Sequence, residues 1–240
     1  MKKITVIFLA FLLSLSSVIS VNAKEDKDIK LFSVETVNKY CELINGCSYA
    51  ALRRYDDNEP IDAVVYSGLD ITDPKILFNA GVFYVSNGVD FSKLTSDSAY
   101  STNLAKKFDK QLKEKGILNT KAQKFYKCYS DSFKESVKLK FDTLGAYTFK
   151  AKKQDIEKML ADENTDFVIA GSEFMLKKGD LNSDGNLDKK DVRILNNVIS
   201  KKYSYLNSLE EKFIEYSSDY NEDEYSDVND VTALQISIKR

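Results

Sequence analysis

The chain is 240 residues long, with 35 basic and 37 acidic side chains, 43% hydrophobic residues, three cysteines, and neither His nor Trp. The absence of His excludes imidazole bases, Ser–His–Asp triads and His-containing zinc sites, and the absence of Trp removes the strongest aromatic platform for a sugar. The near-neutral total conceals a division: residues 24–178 hold 25 basic and 24 acidic side chains, whereas residues 179–240 hold 8 and 13. No basic stripe interleaved with aromatics points to a nucleic acid.

Residues 1–23 read as a secretory signal. Lys2 and Lys3 precede an apolar stretch at residues 4–15, and Val21-Asn22-Ala23 offers small residues for cleavage. The stretch is shorter than the about 20 apolar residues of a spanning helix, so a secreted chain without a membrane span is expected. Residues 24–30 are a charged lead-in. Val34, Val37, Cys41 and Ile44 then recur at helical steps, and Asn45-Gly46 reads as the stop. The cysteines Cys41, Cys47 and Cys128 cannot all pair with one another; a Cys41–Cys47 bridge and buried free thiols are both open.

After the turn signal Asp57-Asn58-Glu59-Pro60, the apolar run Ala63 to Tyr66 predicts a buried strand. Val82-Phe83-Tyr84-Val85, the turn Ser86-Asn87-Gly88 and Val89-Asp90-Phe91 predict a hairpin. Helices are expected at 101–115, on a stripe of Leu104, Phe108 and Leu112, and at 120–129. Val137, Leu139 and Phe141 alternate with Lys138 and Lys140 as a half-buried strand, and Tyr147 and Phe149 continue after a turn at Leu144-Gly145. Ile156, Met159 and Leu160 mark a helix, and residues 167–170 a last strand.

Residues 24–175 therefore predict an α+β domain of ferredoxin-like, split β-α-β order, an antiparallel sheet with helices on one face. Residues 144–169, LGAYTFKAKKQDIEKMLADENTDFVI, resemble the closing strand–helix–strand of subtilisin propeptides and the proteinase inhibitors related to them. That resemblance implies a protease-inhibitor-like domain with a subtilisin-like protease as partner.

The densest signal is GDLNSDGNLDKKD. Asp180, Asn182, Asp184, Asn186, Asp188 and Asp191 fall at positions 1, 3, 5, 7, 9 and 12 of an EF-hand-like loop, with Gly185 at position 6. Calcium is a hard cation that takes six to eight oxygens, so alternate side chains, one main-chain carbonyl (Asn186) and a turning glycine suit it. A shift of 39 residues aligns this loop with Asp219, Asn221, Asp223, Tyr225, Asp227 and Asp230, and continues through Val192/Val231, Leu195/Leu234 and Ile199/Ile238. In the second loop Glu224 replaces the glycine, where the backbone prefers φ > 0, so the second site is expected to be the weaker.

Asp at position 12 where ordinary EF-hands carry Glu, no entering helix before Gly179, and the repeat itself resemble a type I dockerin over residues 179–240, after a linker at 176–178. The resemblance implies an all-α module of two loop–helix units joined by a helix within 206–216, binding a cohesin of a scaffold protein with two Ca2+. The cohesin contacts implied are Lys189, Lys190, Asn196, Asn197, Lys201, Val228, Asn229, Gln235, Ile236 and Arg240. The pair Lys189-Lys190 departs from the Ser or Thr common in the family.

The expected function is a secreted, non-catalytic component of a cellulosome-like complex, held at the scaffold by calcium-dependent cohesin binding. The alternative is a dockerin-borne polysaccharide-degrading enzyme, which would need two carboxylates across a cleft. Asp56, Asp57 and Glu59 are the acids to consider, and in a turn they read as surface residues. A calcium-binding module without a scaffold is the third reading.

Overall fold

A computed structural model describes residues 34–68, 74–90, 93, 97–171 and 176–239. The expected secretory signal at 1–23, the lead-in at 24–30, and Phe91, Phe174, Met175 and Arg240 lie outside the described residues. In chain order come α1 (Val34–Leu52), β1 (Ile61–Tyr66), α2 (Pro74–Asn87), α3 (Ser98–Glu114), α4 (Thr120–Cys128), α5 (Asp131–Ser136) and β2 (Leu139–Phe141). They are followed by β3 (Ala146–Ala151), α6 (Lys153–Leu160), β4 (Phe167–Ala170), α7 (Lys189–Ile199), α8 (Ser208–Ser218) and α9 (Val228–Ile238). Among the described residues no helix is long and apolar enough to cross a membrane.

The four strands form one antiparallel sheet in the order β2-β3-β1-β4. Ala63 lies opposite Phe149, and Val65 lies between Tyr147 and Val168. This face is buried with Phe125 of α4, Phe133 of α5, and Ile156 and Met159 of α6. The Phe133 and Phe149 rings meet edge-on at 5.1 Å. Val64, Tyr66, Phe167 and Ile169 on the opposite face share a core with Ile76 and Phe83 of α2 and with Leu104, Phe108 and Leu112 of α3. Helices thus cover both faces and not one. The physical reason stands in the strands: five of six residues of β1 and all four of β4 are buried, without the alternation of a half-solvated strand.

The expected hairpin at 82–91 is corrected to helix. Ile76, Ala80 and Phe83 are buried at steps of four and three residues, whereas Val82 is exposed, which is a helical stripe. Pro74 suits a first helical position, and Gly88, at φ 54, ends the helix in the left-handed region. Asn87-Gly88 is a helix end here and not a hairpin turn.

The second correction concerns Asn45-Gly46, through which α1 runs on without stopping. Asn45 is buried and works across space: its Oδ1 accepts from the Val168 N–H at 2.9 Å and its Nδ2 donates to the Asp166 carbonyl at 3.2 Å. One turn on, Ser48 Oγ donates to the Val168 carbonyl at 2.6 Å and accepts from the Ala170 N–H at 3.1 Å. The open edge of β4 is therefore closed by side chains of α1. Gly46 faces the other way. A Cβ there would stand 2.1 Å from the Leu209 carbonyl oxygen and 2.6 Å from Phe213 Cβ, so α8 crosses α1 where there is no side chain.

This crossing seats the C-terminal segment on the sheet domain. Phe213, Ile214, Leu181 and Leu195 belong to the same buried cluster as Cys47 and Ala50 of α1. Glu210 of α8, fully buried, accepts from Arg53 Nε at 2.5 Å and Nη2 at 3.0 Å, and from the Tyr203 hydroxyl at 3.0 Å. Lys212 reaches Glu42 at 2.7 Å. Among the described residues no disulfide joins Cys41, Cys47 or Cys128.

Replacing Gly46 by Ala forces α8 off α1. Overpacking of this kind costs about 1–3 kcal/mol, to be read as a lower urea midpoint of unfolding. An unchanged midpoint would mean that α8 is not held at this crossing.

Candidate metal centre

The 39-residue repeat of the sequence is a repeat of conformation. Helices α7 and α9 start and end at equivalent residues, and their N-caps, Asp188 and Asp227, have φ of −142 and −141. Each closes a capping box with the acid three residues on: the Asp188 N–H donates to Asp191 Oδ2 at 2.9 Å, and the Asp227 N–H to Asp230 Oδ2 at 2.8 Å. The other oxygen of these acids gathers the start of its own loop. Asp191 Oδ1 accepts from Leu181 and Asn182 N–H at 3.0 and 3.3 Å, and Asp230 Oδ1 from Tyr220 and Asn221 N–H at 2.8 and 3.0 Å. The left-handed residues repeat as well, Ser183 with Glu222 and Gly185 with Glu224.

In the first loop the structure buries Asp180, Asp184 and Asp191, leaves Asn182 and Asp188 half-buried, and exposes Asn186. Asp180 Oδ1 accepts from the Asp184 N–H at 3.1 Å and Oδ2 from the Gly185 N–H at 2.8 Å. Burial pushes the Asp180 carboxyl up to about 6; the Gly185 N–H opposes this, and the neighbouring Asp191 and Asp184 charges add to it. Burial also raises Asp191. The donor set is all oxygen, which is the chemistry of a hard divalent cation, and its mutually repelling carboxylates fit one. Among the described residues, no three Asp, Glu, Cys or His side chains are already gathered around one point. The loop carboxylates are turned to nearby amides instead.

The second loop differs from the first in exposure, in a lysine partner and in the residue at the glycine position. Asn221, Asp223 and Tyr225 are exposed, while Asp219 and Asp227 are half-buried and Asp230 is buried. Lys178 binds Asp219 by both its carbonyl, at 2.7 Å, and its Oδ2, at 3.0 Å. Asp219 Oδ1 is shielded from solvent. Glu224 at φ 72 holds the left-handed conformation that glycine holds in the first loop. The loops lie side by side because Gly179 has no side chain: a Cβ there would be 2.6 Å from the Tyr220 ring.

Of the expected partner-facing residues, Lys189, Lys190, Asn196, Lys201, Val228, Asn229, Gln235 and Ile236 are exposed, Asn197 is half-buried, and Arg240 is outside the described residues. Lys190 has a second contact that its position did not announce: its Nζ lies 3.4 Å from Asp184 and 3.8 Å from Asp188. Sequence reasoning also missed Lys178, whose partner lies 41 residues away, and Ser183, whose Oγ meets Cys47 Sγ at 2.9 Å. No local pattern carries either signal.

In the sheet domain, Asp56, Asp57 and Glu59 are exposed. A cleft of about 270 Å³ opens between α3, α4 and β2, lined by Lys113, Asn119, Tyr126, Lys127 and Lys140. Its one acid, Asp142, is paired with Lys140 at 3.1 Å, so the lining holds no carboxylate pair for glycoside hydrolysis.

Glu224→Gly removes a left-handed non-glycine residue from the second loop. It should stabilise the protein by about 1 kcal/mol and tighten the weaker of the two calcium-binding steps that the sequence leads one to expect, as read by thermal unfolding and by calorimetric titration. Weaker binding in this variant would show that Glu224 serves the loop as a donor and does not burden it. Compared with protein-family models, with curated proteins and with solved structures, the chain has no match.

Proposed function

We propose that this protein is a secreted, non-catalytic component of a cellulosome-like assembly, in which residues 179–240 act as a type I dockerin that binds a cohesin in the presence of calcium. The observation that carries the reading is that one spacing relates the loops, the helices that follow them and their backbone conformation together. Potential ligands recur every 39 residues, and so do the capping boxes, the left-handed residues and the apolar seam Leu195/Leu234. A chance acidic turn has no reason to repeat its following helix. The first loop would hold calcium through Asp180, Asn182, Asp184, Asp188, Asp191 and the Asn186 carbonyl. The second would hold it more weakly, because Lys178 already neutralises Asp219 and Glu224 stands at the glycine position.

The sheet domain supplies a binding activity, and its ferredoxin-like reading is supported by the antiparallel order β2-β3-β1-β4. The strand–helix–strand of β3, α6 and β4 supports a protease-inhibitor-like role toward a subtilisin-like protease. The one lined cleft described above, lysine-rich and without a carboxylate pair, favours binding over hydrolysis of a polysaccharide. Secretion is supported by the basic-then-apolar start of residues 1–23.

The test is capture of the intact protein by cohesin modules from the source's secreted proteins, with calcium and with a chelator. Capture should require calcium. Asp180→Ala combined with Asp184→Ala should weaken it by at least about tenfold, or 1.4 kcal/mol. Binding to none of the source's cohesins, or capture indifferent to the chelator, would sink the reading.

A further inference from the structure

The two loops are alike in conformation and unlike in what surrounds them. The first faces inward. Ser183, which sits between the expected ligands Asn182 and Asp184, is fully buried and its Oγ lies 2.9 Å from Cys47 Sγ in α1, also fully buried. Leu181, on the other side of Asn182, is buried in the same cluster as Cys47 and Ala50. The neighbours of Cys47 on α1 are the residues that hold the sheet edge: Ser48 binds both Val168 and Ala170, and Asn45 binds Val168 and Asp166. Two non-covalent contacts, Ser183 with Cys47 and Ser48 with Val168 and Ala170, joined by the one peptide bond between Cys47 and Ser48, therefore link the first loop to the backbone of β4. The second loop faces outward. From Asn221 to Ser226 every residue is exposed.

We propose that the two loops have different jobs: the first is a structural lock on the N-terminal domain, so that calcium held there stiffens the α1–β4 junction, while the second is left to the solvent side of the module. This rests on the calcium reading above and extends it to a part of the chain that reading does not involve. Ser183 adopts φ 55, a left-handed conformation that a non-glycine residue keeps only when its surroundings impose it. The loop imposes it through the Asp184 and Gly185 N–H groups that Asp180 accepts and the Leu181 and Asn182 N–H groups that Asp191 accepts. Fixing those carboxylates around one cation fixes Ser183, and with it the cover over Cys47. When the loop loosens, Ser183 withdraws and Cys47 opens to reagents.

The thiols report this directly. The full-length protein is treated with iodoacetamide under native conditions, and the modification of each cysteine is followed by mass spectrometry. Exposed Cys128 is the internal reference, and calcium uptake is measured on the same sample by calorimetry. At calcium about a hundred times its dissociation constant, opening of a calcium-linked region is suppressed about a hundredfold. Cys47 should therefore react at least about tenfold more slowly with calcium than with a chelator, relative to Cys128. Asp180→Ala should abolish this protection, and Asp219→Ala, the equivalent change in the second loop, should leave it in place. Calcium uptake without any change at Cys47 overturns the lock and leaves the calcium reading standing. Protection lost equally in Asp219→Ala overturns the division between the loops. An absence of calcium uptake overturns the calcium reading and this inference together. The wild-type comparison needs no variant, so a failure of Asp180→Ala to fold does not remove the test.

Discussion

Helix α1 meets opposite demands on adjacent residues, and most of the architecture follows from its meeting both. Asn45 and Ser48 present hydrogen-bonding groups to the edge of β4 and satisfy backbone that would otherwise be an open template. Gly46, between them, presents nothing, and that absence lets the backbone of α8 come within reach. A larger residue at 46 separates the two halves of the chain. An apolar residue at 45 or 48 leaves buried N–H and carbonyl groups of β4 unpaired, at a cost of about 1–3 kcal/mol each. The helix is thus both the end of the sheet and the floor of the C-terminal module.

The clasp at Glu210 works on the same principle with charge. A fully buried carboxylate is costly unless every lone pair is used, and here the Arg53 guanidinium, the Tyr203 hydroxyl and the Leu206 N–H all use it. Arg53 comes from the turn just after α1, Tyr203 and Leu206 from the connector between the two repeats, and Glu210 from α8. Arg53 also lies over the Tyr203 ring, 4.7 Å from its centroid. The long connector is therefore shaped by what it grips, and its aromatic residues serve that grip.

What could be read from the sequence divides by distance along the chain. The loops were legible because their donors lie within twelve residues and recur at a fixed spacing, so local pattern and local structure coincide. Strands β1 and β4 were legible as short apolar runs, β3 by its aromatic residues after the Leu144-Gly145 turn, and helices α3, α4 and α6 because helical spacing and burial agree. Residues 82–85 misled because a short apolar run looks the same in a strand and in a buried helix; Ala80 and Phe83, packed with α3, decide for helix. Asn45-Gly46 misled because its local meaning, a stop, is overridden by partners 121 and 123 residues away in β4 and by α8. The contact of Cys47 with Ser183 spans 136 residues and has no local trace at all.

The acidity of the C-terminal segment takes on meaning once its partners are known. In the second loop the first carboxylate, Asp219, is held below its ordinary range by Lys178, so part of the demand for a cation is already met by the protein. In the first loop, Asp180 and Asp191 receive only backbone N–H donors among the hydrogen bonds described, and both are pushed upward, Asp180 to about 6. A raised carboxyl favours folding in its protonated form, so in the metal-free chain this contribution is present below the unfolded value near 3.8 and is lost as pH rises through about 6. At neutral pH the buried Asp180 and Asp191 of the first loop therefore carry negative charge with no cationic side chain among their described hydrogen-bond partners. That charge sits against α1 and not at the surface, so a cation held in this loop, as proposed, would act where the C-terminal segment meets the sheet and its helices.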